Sequence, residues 1–177
     1  MIYFLTYLLT HEFKVSIALA YQYPDQIDGV ILENTFLSIS AMVDVLLPYV
    51  KWFKHLILRI KWDNDVKIKH LKQPIMFISG GMDTLVPPEH MNELYNLASL
   101  SSFKDFFYVS EGSHNDTWEK AARKSGPDNY YQRIKTFISM ITSMNKVNTV
   151  SIDESKNIVE IDPQTSIPSM NKNFKIE

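Results

Sequence analysis

The sequence contains no cysteine. It therefore has no disulfide framework, no thiolate metal site and no cysteine nucleophile, and the lack fits a reducing compartment. Glycine is scarce: there are five, and two of them are adjacent, Gly80 and Gly81. Neither sign of charge dominates. With 18 basic and 20 acidic residues the net charge is -2, which leaves no electrostatic footprint for nucleic acid. Long apolar runs are missing too. The opening M-I-Y-F-L-T-Y-L-L-T meets His11, Glu12 and Lys14, so its uninterrupted part is too short to span a bilayer. It also lacks the basic region and small-residue cleavage site of a signal peptide. It reads as a core element or as a segment foreign to the fold. Internal repeats are absent. What is present is ordinary for one globular domain: 177 residues, 45% apolar and 21% charged.

Along the chain, apolar spacing separates helices from strands. Residues 14–23 place Val15, Ala18 and Leu19 on one helical face, and Pro24 ends that helix. Val30, Ile31 and Leu32 form a continuous apolar run, the mark of a strand buried on both faces. Ser38 is placed to cap a helix running to Val50, with Pro48 as a kink. Residues 51–62 are basic and aromatic. They suit an amphipathic helix on a membrane surface or a cap helix, and the stripe Phe53, Leu56, Ile57 and Ile60 favours packing. Residues 62–65 read as a turn. A second strand at Ile75–Ser79, a helix at Pro88–Leu100, a third strand at Lys104–Ser110 and a helix from Asp128 to about Ile141 follow, with a short turn of helix expected at Trp118–Arg123. From about residue 144 the chain turns polar and aperiodic, which predicts a disordered tail or one added strand at Ile158–Ile161. Strands alternating with helices predict an α/β fold with a three-stranded parallel sheet.

Two loops carry chemistry. P-I-M-F-I-S-G-G-M-D-T-L-V-P-P, Pro74–Pro88, ends an apolar strand in glycines and delivers Asp83 into a loop. G-S-H-N-D-T-W, Gly112–Trp118, follows the next apolar run and delivers His114. Taken singly, each is as easily a solvated turn residue. Together, an acid after one strand and a histidine after the next are two thirds of a nucleophilic triad. Asn115, Asp116 and Trp118 most simply fix the histidine loop. Asp116 as the acid is a minority reading, and a metal site at His114 and Asp116 lacks a third ligand at sensible spacing.

With I-L-E-N-T-F-L-S-I at Ile31–Ile39, these motifs resemble the α/β-hydrolase superfamily, in particular the bud-emergence (Bem) hydrolases and the α/β-hydrolase domain-containing protein thirteen group. The resemblance covers roughly residues 14–141, the part from that fold's sixth strand to its last helix. It implies a serine hydrolase acting on esters or thioesters, with Asp83 as acid and His114 as base, a small-molecule or acyl substrate, and no cofactor. Glu33 falls where some members keep an acid and reads as a supporting residue at best. Members often carry an N-terminal membrane anchor, and the resemblance allows membrane association in a longer parent or a cytoplasmic setting.

The resemblance breaks where the family keeps its G-x-S-x-G nucleophile elbow. This chain reads Y-L-L-T-H-E-F-K there: the serine position falls on Thr10, and the glycines fall on Leu8, Glu12 and Phe13. Ser16, the nearest serine, lies inside the predicted helix. The expectation is an atypical segment at 1–13, the C-terminal half of a hydrolase domain at 14–143 with a cap-like insertion at about 38–65, and a tail at 144–177. Such a chain, a truncated form of a longer hydrolase, is expected to be inactive alone. The strand at Val30–Leu32 carries no edge protection of charge or proline, which weighs against the alternative, a non-catalytic binding module. A rival enzyme reading makes Thr10 the nucleophile.

Overall fold

In the computed structural model, the described residues are 13–46, 49 and 62–157. They divide between two compact units, residues 1–142 and 143–177. The first holds a three-stranded parallel sheet in the order β1 (Val30–Glu33), β2 (Ile75–Gly80), β3 (Lys104–Val109). Register pairs Val30 with Ile75 and Ile75 with Lys104. The central strand is buried along its whole length, as its unbroken apolar run predicts.

Because side chains alternate across a strand, β2 feeds two cores. Ile75 and Phe77 join Val30 and Leu32 in a cluster with Ile17 and Ala20 of α1 (Phe13–Gln22) and Met91 and Leu94 of α4 (Pro88–Leu97). Met76 and Ile78 face the other way. They meet Phe107, Val109, Ala121 of α5 (Thr117–Ala122), and Tyr130, Ile134, Phe137 and Ile141 of α6 (Tyr130–Asn157). The result is a helix layer on each face of the sheet, which a parallel sheet requires.

Local chemistry sets the element ends. Ser38 Oγ accepts from the Ala41 amide at 3.1 Å and caps α2 (Ile39–Leu46). Gln73 Nε2 donates to Ala20 O and Pro24 O, satisfying carbonyls at the end of α1. Residues 62–65 differ from the expected turn: Asn64 starts a short helix, α3 (Asn64–Lys67), because the Asp63 carbonyl accepts from the Val66 and Lys67 amides. Asn64 Nδ2 also donates to Phe36 O at 2.9 Å, and the Asp65 amide donates to Leu37 O. The two ends of the excursion between residues 38 and 62 are thereby clasped together. The amphipathic stretch 51–61, with Pro48 and Val50 before it, lies outside the described residues.

The last helix also differs from expectation at both ends. Pro127 sits in a 3₁₀ turn, Gly126–Asp128, and Asn129 is the true cap: its Oδ1 accepts from the Tyr131 and Gln132 amides at 3.1 and 3.2 Å. In the second unit the helix continues to Asn157 rather than giving way to irregular chain near residue 144. No glycine or proline occurs between Asp128 and Asn157 to stop it. Ile158–Ile161, the candidate extra strand, lies outside the described residues.

Candidate active site

The loops after β2 and β3 meet at the carboxyl ends of those strands, where open α/β sheets place their functional groups. Their approach is glycine against glycine. A Cβ on Gly80 would sit 2.6 Å from Gly112 O, and one on Gly112 would sit 2.7 Å from Thr117 Oγ1. Backbone bonds then tie the loops together: Gly81 N to Val109 O and Met82 N to Gly112 O, both 2.8 Å.

Asp83 is 4% exposed. Its Oδ1 accepts from the amides of Leu85 and Val86 at 2.9 and 2.8 Å, a turn closed by its own side chain. Pro87 and Pro88 follow and start α4. With Oδ1 committed to the loop, Oδ2 points to His114 Nδ1 at 2.8 Å. A carboxylate only accepts, so Nδ1 carries the proton in this contact. The two side chains are 1% and 19% exposed, so the acid is sealed and the ring retains access to solvent.

The histidine loop is held by the residues expected to hold it. Asp116 Oδ1 accepts from Ser113 N and Ser113 Oγ, both at 2.7 Å, and these bonds hold its carboxyl below the usual range. Trp118 Nε1 donates to Asn115 O. Asp116 thus serves its own loop, and it is Asp83 that meets the imidazole.

Glu33, at the end of β1, is buried and accepts from Tyr130 OH at 2.6 Å. Burial raises its pKa, while the Tyr130 bond and the electrostatic interaction with nearby His114 oppose the rise. Two further groups carry no strong local signal in the sequence. His90, in α4, is buried, and its Nδ1 accepts from the Leu37 amide at 3.2 Å. Desolvation lowers its pKa, against Glu93, Glu89 and Asp83. Asn34 lies between the two loops. Its position just past a strand was the one available hint, since asparagine tolerates left-handed backbone there. Of the nucleophile candidates, Ser16 is buried within α1, and Thr10 lies outside the described residues. Among the described residues no three potential metal ligands gather in one place, and no helix is long and apolar enough to cross a membrane.

No protein-family profile matches the chain. Individual proteins do. It is 39% identical over 107 residues to the Alpha/beta hydrolase domain-containing protein WAV2 of Arabidopsis thaliana, covering 54% of this chain and 35% of that one. It is 34% identical over 136 residues to Protein bem46 of Schizosaccharomyces pombe, covering 76% and 42%. An uncharacterized membrane protein of Saccharomyces cerevisiae is 38% identical over 122 residues, covering 68% and 40%. The chain therefore spans 35 to 42% of the length of these relatives. Among solved structures, the Pyrococcus furiosus esterase Pf2001 superposes with a TM-score of 0.52 at 15% identity, over 72% of this chain and 49% of the esterase. In sequence the chain is similar to proteins of the α/β-hydrolase superfamily, and its three-stranded parallel sheet with flanking helices is part of that fold.

Proposed function

We propose that this chain supplies the acid and the base of a serine-hydrolase triad. The observation that carries the reading is the 2.8 Å contact from buried Asp83 Oδ2 to His114 Nδ1, on loops that follow adjacent parallel strands. Asp83 holds the imidazole in one tautomer and stabilises the imidazolium. Nε2 takes the proton from a serine hydroxyl as that oxygen attacks an ester or thioester carbonyl, then returns it to the leaving group. Water releases the acyl group by the same route.

The 177 residues contain no G-x-S-x-G. In this reading the triad is incomplete, and the chain as given does not form an acyl-enzyme. A fluorophosphonate probe is expected to leave it unlabelled; stoichiometric labelling at Thr10 or Ser16 would overturn the proposal. Joining residues 14–177 to a G-x-S-x-G segment from a relative is expected to create probe labelling that requires His114. The name of the yeast relative extends the proposal to a membrane setting for the longer hydrolase. Partition of that longer protein into the soluble fraction at low salt would count against this extension.

A further inference from the structure

Asn34 is a non-glycine residue with φ of 45°, in the left-handed region, and it is 2% exposed. Asparagine is among the few side chains that tolerate this backbone, at some cost. Its amide shows why the cost is sustained. Oδ1 accepts from Gly80 N at 2.8 Å, three residues before Asp83. Nδ2 faces Ser113 O and His114 O, both at 3.2 Å, and Thr117 Oγ1 at 3.0 Å. Thr117 Oγ1 in turn donates to Ser113 O at 2.6 Å. The Asn34 amide nitrogen donates to Ile78 O at 3.0 Å and anchors the residue to β2.

We propose that Asn34 is the positioning residue that sets His114 against Asp83. Its amide spans the end of the acid's strand and the backbone of the histidine itself. The role rests on the reading of Asp83 and His114 as acid and base. The side-chain chemistry is specific. One end must accept, because Gly80 offers an N–H; the other must donate, because two carbonyls converge on it. Aspartate, of the same shape and equally tolerant of the backbone, keeps the first bond. It sets a carboxylate oxygen against two carbonyl oxygens at the other end. Glycine relieves the backbone and removes both bonds. Left without Asn34, the buried Gly80 amide and the part-buried His114 carbonyl lose this bond, while Ser113 O keeps Thr117 Oγ1, and the histidine loop shifts to restore the lost contacts.

The test is imidazole nitrogen NMR on the 177-residue chain, with His114 assigned by its loss in His114→Gln. The wild type is expected to show a downfield Nδ1–H signal that vanishes in Asp83→Asn. Asn34→Gly and Asn34→Asp are expected to lose that signal and shift His114 toward the Nε2–H tautomer, while strand amides of β2 and β3 keep their pattern. Asn129→Ala, which removes the α6 cap far along the chain, should lower the melting temperature and leave the His114 signal in place. Retention of the signal in both Asn34 variants overturns the proposal, as does equal loss in Asn129→Ala. Should the Asn34 variants fail to fold, Thr117→Val leaves the Gly80, Ser113 and His114 bonds of Asn34 in place at full volume and is expected to keep the His114 signal; loss of the signal there, with the β2 and β3 amides unchanged, overturns the proposal by assigning the positioning to Thr117. This readout needs no turnover, so it stands or fails separately from the hydrolase reading.

Discussion

Two aspartates sit in adjacent loops of one sheet and meet different fates. Asp83 and Asp116 each spend one carboxylate oxygen on their own loop, Asp83 on Leu85 and Val86, Asp116 on Ser113. The difference lies in the second oxygen. That of Asp83 is buried and points to His114 at 2.8 Å, whereas that of Asp116 reaches only Lys120 at 4.0 Å on a partly exposed face. Burial and the glycine contact decide which acid becomes a partner for the histidine. Sequence spacing alone puts Asp116 nearer.

Breaking the comparison at its buried member should have the largest effect. Asp83→Ala removes two amide bonds and the histidine contact together, and should cost on the order of 3 kcal/mol in urea unfolding. Asp83→Asn should recover part of that loss without restoring the orientation of His114. Next comes the glycine contact. Gly80→Ala drives a methyl group against Thr117 and Gly112 O, and overpacking of this kind should cost about 2 kcal/mol. A loss below about 0.5 kcal/mol would mean the loops separate easily, contrary to the close fit described.

Much of this was legible from residue patterns. The three strands stand out as short apolar runs, and the Gly80-Gly81 and Gly112 stops mark where chemistry leaves the sheet. Asp83 and His114 were recognisable as candidates because each follows such a run. Asn34 was not, because every side-chain bond it makes spans 46 to 83 residues of sequence. Tyr130 is hidden for the same reason: its hydroxyl reaches Glu33 across 97 residues. The cap at Asn129 was available locally, but Pro127 two residues earlier is an equally good start signal and misplaces the helix end.

The smaller effects concern pH. His90 is the intermediate case. Its lowered pKa means the unfolded chain takes up the proton first. The stability it contributes is full above its ordinary value of 6.5 and drains as pH falls below that value toward the folded one. Protonation also ends acceptance from Leu37 N. His90→Gln should flatten the fall in urea midpoint between about pH 7.5 and 5; an unchanged slope would remove His90 as its source. Asp116 should matter least. Its lowered carboxyl contributes stability that is complete above 3.8 and lost only as pH drops through its folded value. Asp116→Ala should cost about 0.5 kcal/mol at neutral pH, given its exposure, and leave the His114 signal in place. A loss equal to that of Asp83→Ala would dissolve the distinction between the two acids.

The most direct test joins residues 14–177 to a G-x-S-x-G segment from a relative and follows hydrolysis of a p-nitrophenyl ester. Turnover should appear and fall by about a thousandfold or more in His114→Ala and in Asp83→Ala, with Asp116→Ala close to the parent chimera. Turnover that survives His114→Ala would contradict the assignment of this pair as the acid and base of the hydrolase.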